Sequence, residues 1–420
     1  MAGFDPRSFY NAPTDYDLGL YNGFTYPGPN ESDWTVELAV DLSANGVGNW
    51  FTLDDPVKGV LDNATYLLAG DVLIDITRWV RGLSTSRGRS RRLQKFTAGT
   101  CSFTLDNRER LFDPLFTASP LFGSIVPRKE VRVSYRGQRI FTGNVEDWGY
   151  GYDVNGDSIA IPSNADAFSF LARRTYPAAT ESSELAVNRF NGVLDTISWP
   201  NDARVIVGDP SSSIGLMGDT HDDVSALQYL QQVELSDIGA MFVNKAGAME
   251  YHIGLDYPYS PTFAATFGIG GIPFSALDVA YETDVMANQV TCNYNGTAIT
   301  VSDGDSQTAY GMLASSYDTL LLTGPAAEGF ATSYVDTFKN PSYYISKLTV
   351  NVLGIPSADV SAVLGLELAD PVQVVHRPND MGDVQTYSLV IDGIAHSATP
   401  GSHEITFQMS PPIVRVTIPV

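Results

Sequence analysis

What most constrains this chain is a set of short alternating runs closed by Asn-Gly pairs, with a switch to helical spacing between them. In "NVEDWGYGYDVNGDSIAIPS" two runs of period two flank Asn155-Gly156, and "NQVTCNYNGTAITVSD" does the same around Asn295-Gly296. Asn-Gly supplies the positive φ that a tight hairpin needs, and alternation puts every second side chain on one sheet face. Other runs read the same way. "WTVELAVDL" and "YLLAGDVLIDITRWV" are strand-like. Cys101, Phe103 and Leu105 share a face in "TCSFTLDN", as do Val131, Val133 and Tyr135 in "VRVSYRGQRIFTG", where "GQ" invites a turn. Several short strands at close spacing argue for a barrel or sandwich.

The period changes after residue 165. "DAFSFLARR" (166–174) reads as a short helix, and Ala186, Phe190, Val193, Leu194 and Ile197 follow helical spacing within 184–199. In "DTHDDVSALQYLQQVE", Thr220 is the expected cap, Asp223 completes a capping-box-like start, and Ala226, Leu227, Leu230 and Val233 line one face. "GAMFVNKAGAMEYHIG" predicts a hairpin turning at "KAG". A third helix is expected over 325–339, with Pro325 in its first turn and Asn340-Pro341 ending it. Strands return in "SKLTVNVLG", "PVQVVHRP", "TYSLVIDGIAHSATP" and "HEITFQMSP". No short-period repeat is present. The expected organisation is an extended arm (1–33), a first β-barrel (34–165), an α+β connecting domain (166–280), a second β-barrel with an inserted helix at 325–339 (281–412) and a C-terminal strand or arm (413–420).

Charge narrows the function. The chain of 420 residues carries a net charge of −23, spread unevenly. Between Arg78 and Arg139 lie 14 of its 25 Lys and Arg residues, whereas 175–420 holds 7 basic against 27 acidic residues. A segment that acidic is a poor ligand for phosphate backbones, which bind by neutralisation with cations. Cys101 and Cys292 stand 191 positions apart in strand-like runs, so buried free thiols are expected rather than zinc or a disulfide framework. The N-terminus has no apolar leader and no run of 18 apolar residues occurs, so a cytoplasm-like compartment is expected.

The search for chemistry returns little. His221, His252, His376, His396 and His403 are scattered; the last two flank a Pro-Gly turn, where a metal would have only Glu404 beside them. Satisfied or solvated turn histidines are the expected reading. No metalloprotease pair, nucleophile elbow or phosphate-cradling loop is present, and "GIGG" (268–271) lacks the lysine and helix start that would make it one. "DVNGD" and "DGD" read as turns rather than calcium loops. No catalytic residue, cofactor or metal site is therefore expected. The basic run remains, with Arg87, Arg89, Arg91, Arg92, Arg108, Arg128 and Lys129 as candidate interface residues. It reads as a solvated rim, as a contact with an acidic protein surface such as another copy's later half, or as a nucleic-acid patch, which its few interleaved aromatics disfavour.

The residues also resemble a known family. "DITRWVRGLSTSRGRSRRLQKFTAGTCSFTLDNRERLFDP" and "SPLFGSIVPRKEVRVSYRGQRIFTGNVEDW" are similar to the first half of minor tail proteins of long-tailed phages, especially those of actinobacterial hosts. Arg87-Gly88-Arg89, Ala98-Gly99-Thr100, Leu105-Asp106-Asn107-Arg108, Phe112-Asp113-Pro114, Pro127-Arg128 and Phe141-Thr142-Gly143 through Trp148 match in order. "DDVSALQYLQQVELSDIGAMFVNKAGAMEY" and "LADPVQVVHRP…YSLVIDGIAHSATPGSHEITFQMSP" resemble later parts of the tail-hub, or baseplate-hub, family, so the resemblance spans roughly 70–412. It implies a mainly β fold with two hub-type, tail-tube-like barrels around an α+β domain. It also implies a homotrimeric ring closing the tail tube, contacts with distal tail, tape measure and fibre proteins, and a channel for DNA ejection. Wall degradation and receptor binding would then belong to separate proteins. The alternatives are a hexameric distal tail protein, a carbohydrate-binding or wall-hydrolysing tail component, and a nucleic-acid-binding protein.

Overall fold

A computed structural model describes residues 33–40, 72–90, 94–254, 262–283 and 286–413. Apart from Asp33 and Ile413, the expected N-terminal arm and C-terminal strand lie outside the described residues. The chain divides into two compact units: 1–83 with 101–165, and 84–100 with 166–420.

The first unit is built from β1 (Trp34–Val40), β2 (Val72–Asp75), the start of β3 (Val80–Gly88), most of β4 (Thr97–Asp106), β5 (Glu130–Tyr135), β6 (Gln138–Tyr152) and β7 (Ser158–Ala165). Their order is β4-β7-β6-β5-β1-β2. The alternation read from sequence is the burial pattern: Cys101, Phe103, Leu105, Val131, Val133 and Tyr135 all face the core. Tight turns fall where the backbone needs them. Arg136 and Gly137 both take positive φ and join β5 to β6, one residue before the expected "GQ". Between β6 and β7, Gly156 alone turns left-handed, and Asp153 N–H closes a wider loop on Asp157 O at 2.8 Å.

The second unit begins, after the 84–100 segment, with α1 (Phe168–Arg173), β8 (Thr175–Tyr176), β9 (Ala179–Glu181), β10 (Glu184–Leu185), α2 (Ala186–Thr196) and β11 (Arg204–Val207). There follow β12 (Gly215–Leu216), β13 (Asp219–His221), β14 (Val224–Ser225), α3 (Ala226–Asp237), β15 (Ala240–Val243) and β16 (Met249–His252). Strands β8 to β10 and β12 to β14 form one antiparallel ribbon of unbroken register: Tyr176 faces Val224, Thr180 faces Thr220 and Glu184 faces Leu216. The ribbon has two-fold character about Thr180 and Thr220. Each of its strands runs straight into a helix, and those helices start at Ala186 and Ala226, forty positions apart. Equivalent residues of α2 and α3 meet: Arg189 donates to Tyr229 Oη at 2.7 Å. This corrects the expected helix start. Thr220 pairs across the ribbon instead of capping, Asp223 accepts from Ala178 N–H, and α3 starts after Ser225 without a side-chain cap.

The remainder of this unit is β17 (Ala265–Gly268), β18 (Ala276–Glu282), β19 (Gln289–Tyr294), β20 (Thr297–Ser302), α4 (Gly304–Tyr310), β21 (Ala314–Asp318), α5 (Gly324–Phe338), β22 (Ser342–Asn351), α6 (Ser357–Gly365), β23 (Pro371–His376), β24 (Gln385–Thr399) and β25 (Ser402–Ser410). The order β18-β22-β25-β24-β23-β17 forms its larger sheet, while β20-β19-β21 is a separate three-stranded sheet covered by α5. Asn295-Gly296 makes the expected two-residue turn, with φ of 42° and 73°. The expected third helix is present, capped by Thr323, which accepts from Ala326 N–H, with proline in its first turn. Helices α4 and α6 were not expected. Asp303, read as part of a turn, caps α4 by accepting from Ser306 N–H at 2.9 Å and pairs with Lys339 at 3.1 Å.

Candidate assembly interface

The basic run divides between the two units, and most of its described members already hold carboxylates. In the second unit, Arg87 is only 6% exposed; its Nη1 lies 2.8 Å from Glu367 Oε1 and 3.3 Å from Val243 O. Arg89 meets Asp392 at 2.9 Å and lays its guanidinium over the Phe96 ring at 4.3 Å. Asp392 is itself buried and accepts the Ser410 hydroxyl. Backbone approach is correspondingly tight. Gly88 has φ of +101°, and a Cβ there would sit 2.2 Å from Asp392 O. These two arginines, expected at an interface between copies, thus point into their own unit, where the buried Asp392 carboxylate would be costly unpaired. Arg91 and Arg92 lie outside the described residues.

In the first unit the arginines sit at the surface in local pairs. Arg81 takes Asp157 through two bonds of 2.7 and 3.0 Å and meets Asp106 at 3.2 Å. Arg108 chelates Asp106, Arg110 holds Asp113 at 2.8 Å and Arg128 holds Glu146 at 2.8 Å. Lys129 is half-buried beside it, its carbonyl accepting from Val145 N–H at 2.9 Å. Exposed pairs of this kind contribute about 0–1 kcal/mol each, so they can exchange partners at a contact.

The motif "LDNRERLFDP" is a loop-building device. Asn107 Oδ1 accepts from Phe112 N–H at 2.9 Å, and Asp113 accepts from Leu115 N–H at 2.8 Å. Phe112 is fully buried, edge-on to Trp79 at 5.7 Å and stacked with Trp148 at 6.4 Å. Burial works against the charge on Asp113, but the Leu115 N–H and the Arg110 guanidinium hold its carboxyl below the usual range. Around this rigid loop stand side chains that the charge pattern did not single out. Leu115 is 82% exposed, Tyr152 is 62% exposed with its hydroxyl on Asp113 at 3.3 Å, and Val154 is wholly exposed at the β6–β7 tip. Apolar anchors among re-pairable charges have the composition of a protein contact surface. The second unit has its own aromatic row, with Tyr281 and Tyr343 exposed, Tyr387 half-buried beside them and neighbouring centroids 6.4 and 6.3 Å apart.

The remaining chemistry-bearing residues sit as follows. Both cysteines are free and buried, and burial pushes the Cys101 thiol far up. Among the described residues no three His, Cys, Asp or Glu side chains gather as a metal set. His396 and His403 are not solvated at the turn; they are buried on β24 and β25, bonded to each other at 3.1 Å.

Fold and surface define a mainly β chain of two units with an α+β portion, the class expected from sequence, and that fold occurs in phage tail proteins. No protein-family model matches the chain, and no curated protein sequence does. Among solved structures it is similar to the tail protein from Neisseria meningitidis MC58, with a TM-score of 0.57 and 12% identity, covering 90% of this chain and 96% of that one. It is also similar to the 43 kDa tail protein of prophage MuSo2 from Shewanella oneidensis, with a TM-score of 0.56 and 12% identity, covering 82% of this chain and 97% of that one.

Proposed function

We propose that this chain is a structural component of a bacteriophage tail and, within the tail, the hub that closes its tube. The observation that carries this reading is the near end-to-end likeness of its fold to a tail protein, over 90% of this chain and 96% of the other. In this reading 34–165 and 281–412 are the two bodies each subunit gives to a ring, and 166–280 joins them. Three subunits then offer six bodies to a six-fold tube. Copies meet through Leu115, Tyr152 and Val154 with Arg108, Arg128 and Lys129 at the rim, and Arg91 and Arg92 add to the contact. Arg87 and Arg89 act within the subunit. The ring passes genomic DNA without reading its sequence, since a net charge of −23 repels phosphates. Its neighbours are the distal tail, tape measure and fibre proteins; its place is the virion tail tip, reached from the host cytoplasm during assembly. No described helix is long and apolar enough to cross a membrane. Its work is positional, with no turnover of wall polymer.

Mass by light scattering and imaging of the purified assembly test this. Three copies around a hole with a negative lining are expected. Six copies would assign a distal tail ring instead, and a solitary closed subunit would end the hub reading.

A further inference from the structure

We propose that Asn295, at the β19–β20 turn, is a self-modification site: the folded chain converts its amide to a carboxylate by attack of the next backbone nitrogen. Five Asn-Gly pairs occur in the sequence, and those at Asn22 and Asn45 lie outside the described residues. Asparagine before glycine is the pairing in which this cyclisation meets least steric resistance, because glycine puts no Cβ beside the attacking nitrogen. Sequence alone therefore ranks the remaining three, Asn155, Asn191 and Asn295, as equals. The fold separates them.

Cyclisation needs a backbone N–H free to lose its proton. It also needs an asparagine whose ψ and χ1 can turn Cγ onto that nitrogen. At Asn191 neither is free. Gly192 lies inside α2, where its N–H belongs to the helix ladder, and Asn191 Nδ2 donates to Val187 O at 3.1 Å. Asn191 O also accepts from Arg204 at 3.5 Å. At Asn155 the nitrogen is held. Gly156 N–H donates to Asp153 O at 3.0 Å, and Asn155 N–H donates to Asp153 Oδ1 at 3.0 Å. At Asn295 nothing holds either group. Strand pairing ends at Tyr294 and Thr297, and among the described residues no acceptor meets Gly296 N–H and no partner meets the Asn295 amide. Asn295 is exposed, and nothing lies within 4 Å of a Cβ added at Gly296, so both torsions have room.

The step balances with water as the sole co-reactant. Gly296 N gives its proton to solvent and bonds to Asn295 Cγ. The Cγ–Nδ2 bond breaks, and the nitrogen takes a proton from solvent and leaves as ammonia. Water then opens the five-membered imide. Breaking its bond from nitrogen to Cγ gives aspartate; breaking the bond from nitrogen to the backbone carbonyl carbon gives isoaspartate, whose main chain is one atom longer. Neither product returns to asparagine, so the site records the age of the chain. Aspartate there adds a charge to a cleft that Asp318 also lines. Isoaspartate lengthens a loop that two residues close between directly opposed positions, so the Tyr294–Thr297 pair is the first to part. Tyr294 packs against the core beneath α5, and that contact loosens with it. The chemistry is independent of any role in a tail.

Peptide mass mapping of the full-length chain, aged at mildly alkaline pH, tests the site. In the native chain the peptide carrying Asn295 should gain one mass unit several-fold sooner than those carrying Asn155 and Asn191, with isoaspartate detected by enzymatic methylation. In denaturant the three should convert at similar rates, since only the fold distinguishes them. Conversion of Asn155 or Asn191 as fast as Asn295 in the native chain would overturn the proposal. So would an Asn295 that keeps its amide there while the denatured control converts, or a denatured chain that reproduces the native ranking. In the isoaspartate fraction, the Tyr294 and Thr297 amides should exchange hydrogen faster while β24 and β25 stay protected, and unchanged exchange would overturn the loosening of the hairpin.

Discussion

Gly88 and Gly156 both hold positive φ, at +101° and +86°, yet their surroundings differ. Nothing lies within 4 Å of a Cβ added at Gly156, so Gly156→Ala should cost only the backbone strain, about 1 kcal/mol. At Gly88 the same change meets Asp392 O, Gly393 Cα and Leu368 within 2.8 Å, so about 3 kcal/mol or more is expected. Chemical denaturation of the two variants should separate them by that margin, and equal midpoints would mean the close approach is not maintained in solution. Asp166 supplies a pH signature. Burial pushes its carboxyl up to about 7, against the pull of N–H bonds from Gly99 and Phe168. A raised carboxyl binds its proton more tightly in the folded state, so its contribution is complete below about pH 4 and is lost as pH rises through about 7. Denaturation of Asp166→Asn across that window should show less loss of stability than the parent. His396 acts with the opposite sign: burial holds it below its ordinary value, so its contribution is present above about pH 6.5 and is lost as pH falls.

At the scale of elements, legibility followed locality. The Asn295-Gly296 hairpin was readable because its requirement, positive φ at both turn residues, is carried by those residues alone. The buried faces of β4 and β5 were readable because alternation is local too. Helices α4 and α6 were not: α4 buries only Ser306, so no apolar face marks it, and α6 has just Val360, Val363 and Leu364 on its buried face. The ribbon failed for a different reason. Thr220 looks like a cap until Thr180, forty positions earlier, arrives to pair with it. Its two-fold character was invisible because the equivalent positions hold different residues, Arg189 against Tyr229 and Glu181 against His221. Those differences now support the element. Arg189 is 1% exposed and reaches Glu184 at 2.5 Å, Ser182 O at 2.6 Å and Tyr229 at 2.7 Å. Arg189→Ala should cost about 3–5 kcal/mol, and Arg189→Lys should recover little, because one ammonium does not replace a fork of donors. Thermal unfolding of both variants is the check.

At the scale of the molecule, the charge pattern marked candidate contact residues without showing which of them are buried. Clustering in sequence does not reveal burial: Arg87 and Arg89 turned inward, while the exposed apolar side chains Leu115, Tyr152 and Val154 carried no charge signal. If the proposed ring forms through these side chains, Leu115→Asp with Val154→Asp should disperse it to single subunits, with little change in the subunit's own unfolding. Scattering mass at matched concentration reads the first effect and calorimetry the second. An assembly unmoved by both changes would place its contacts elsewhere.

The span of the Arg89–Asp392 bond, 303 residues, sets a schedule for biosynthesis. At ordinary ribosomal speed about 15–60 s separate the appearance of the arginine from that of its carboxylate. For that interval the early segment has no place to settle, however complete the strands on either side of it. A nascent chain released before Asp392 would leave Arg89 without its buried carboxylate and the 84–100 segment open to proteases and chaperones, so completion of that contact is the checkpoint a truncated product fails.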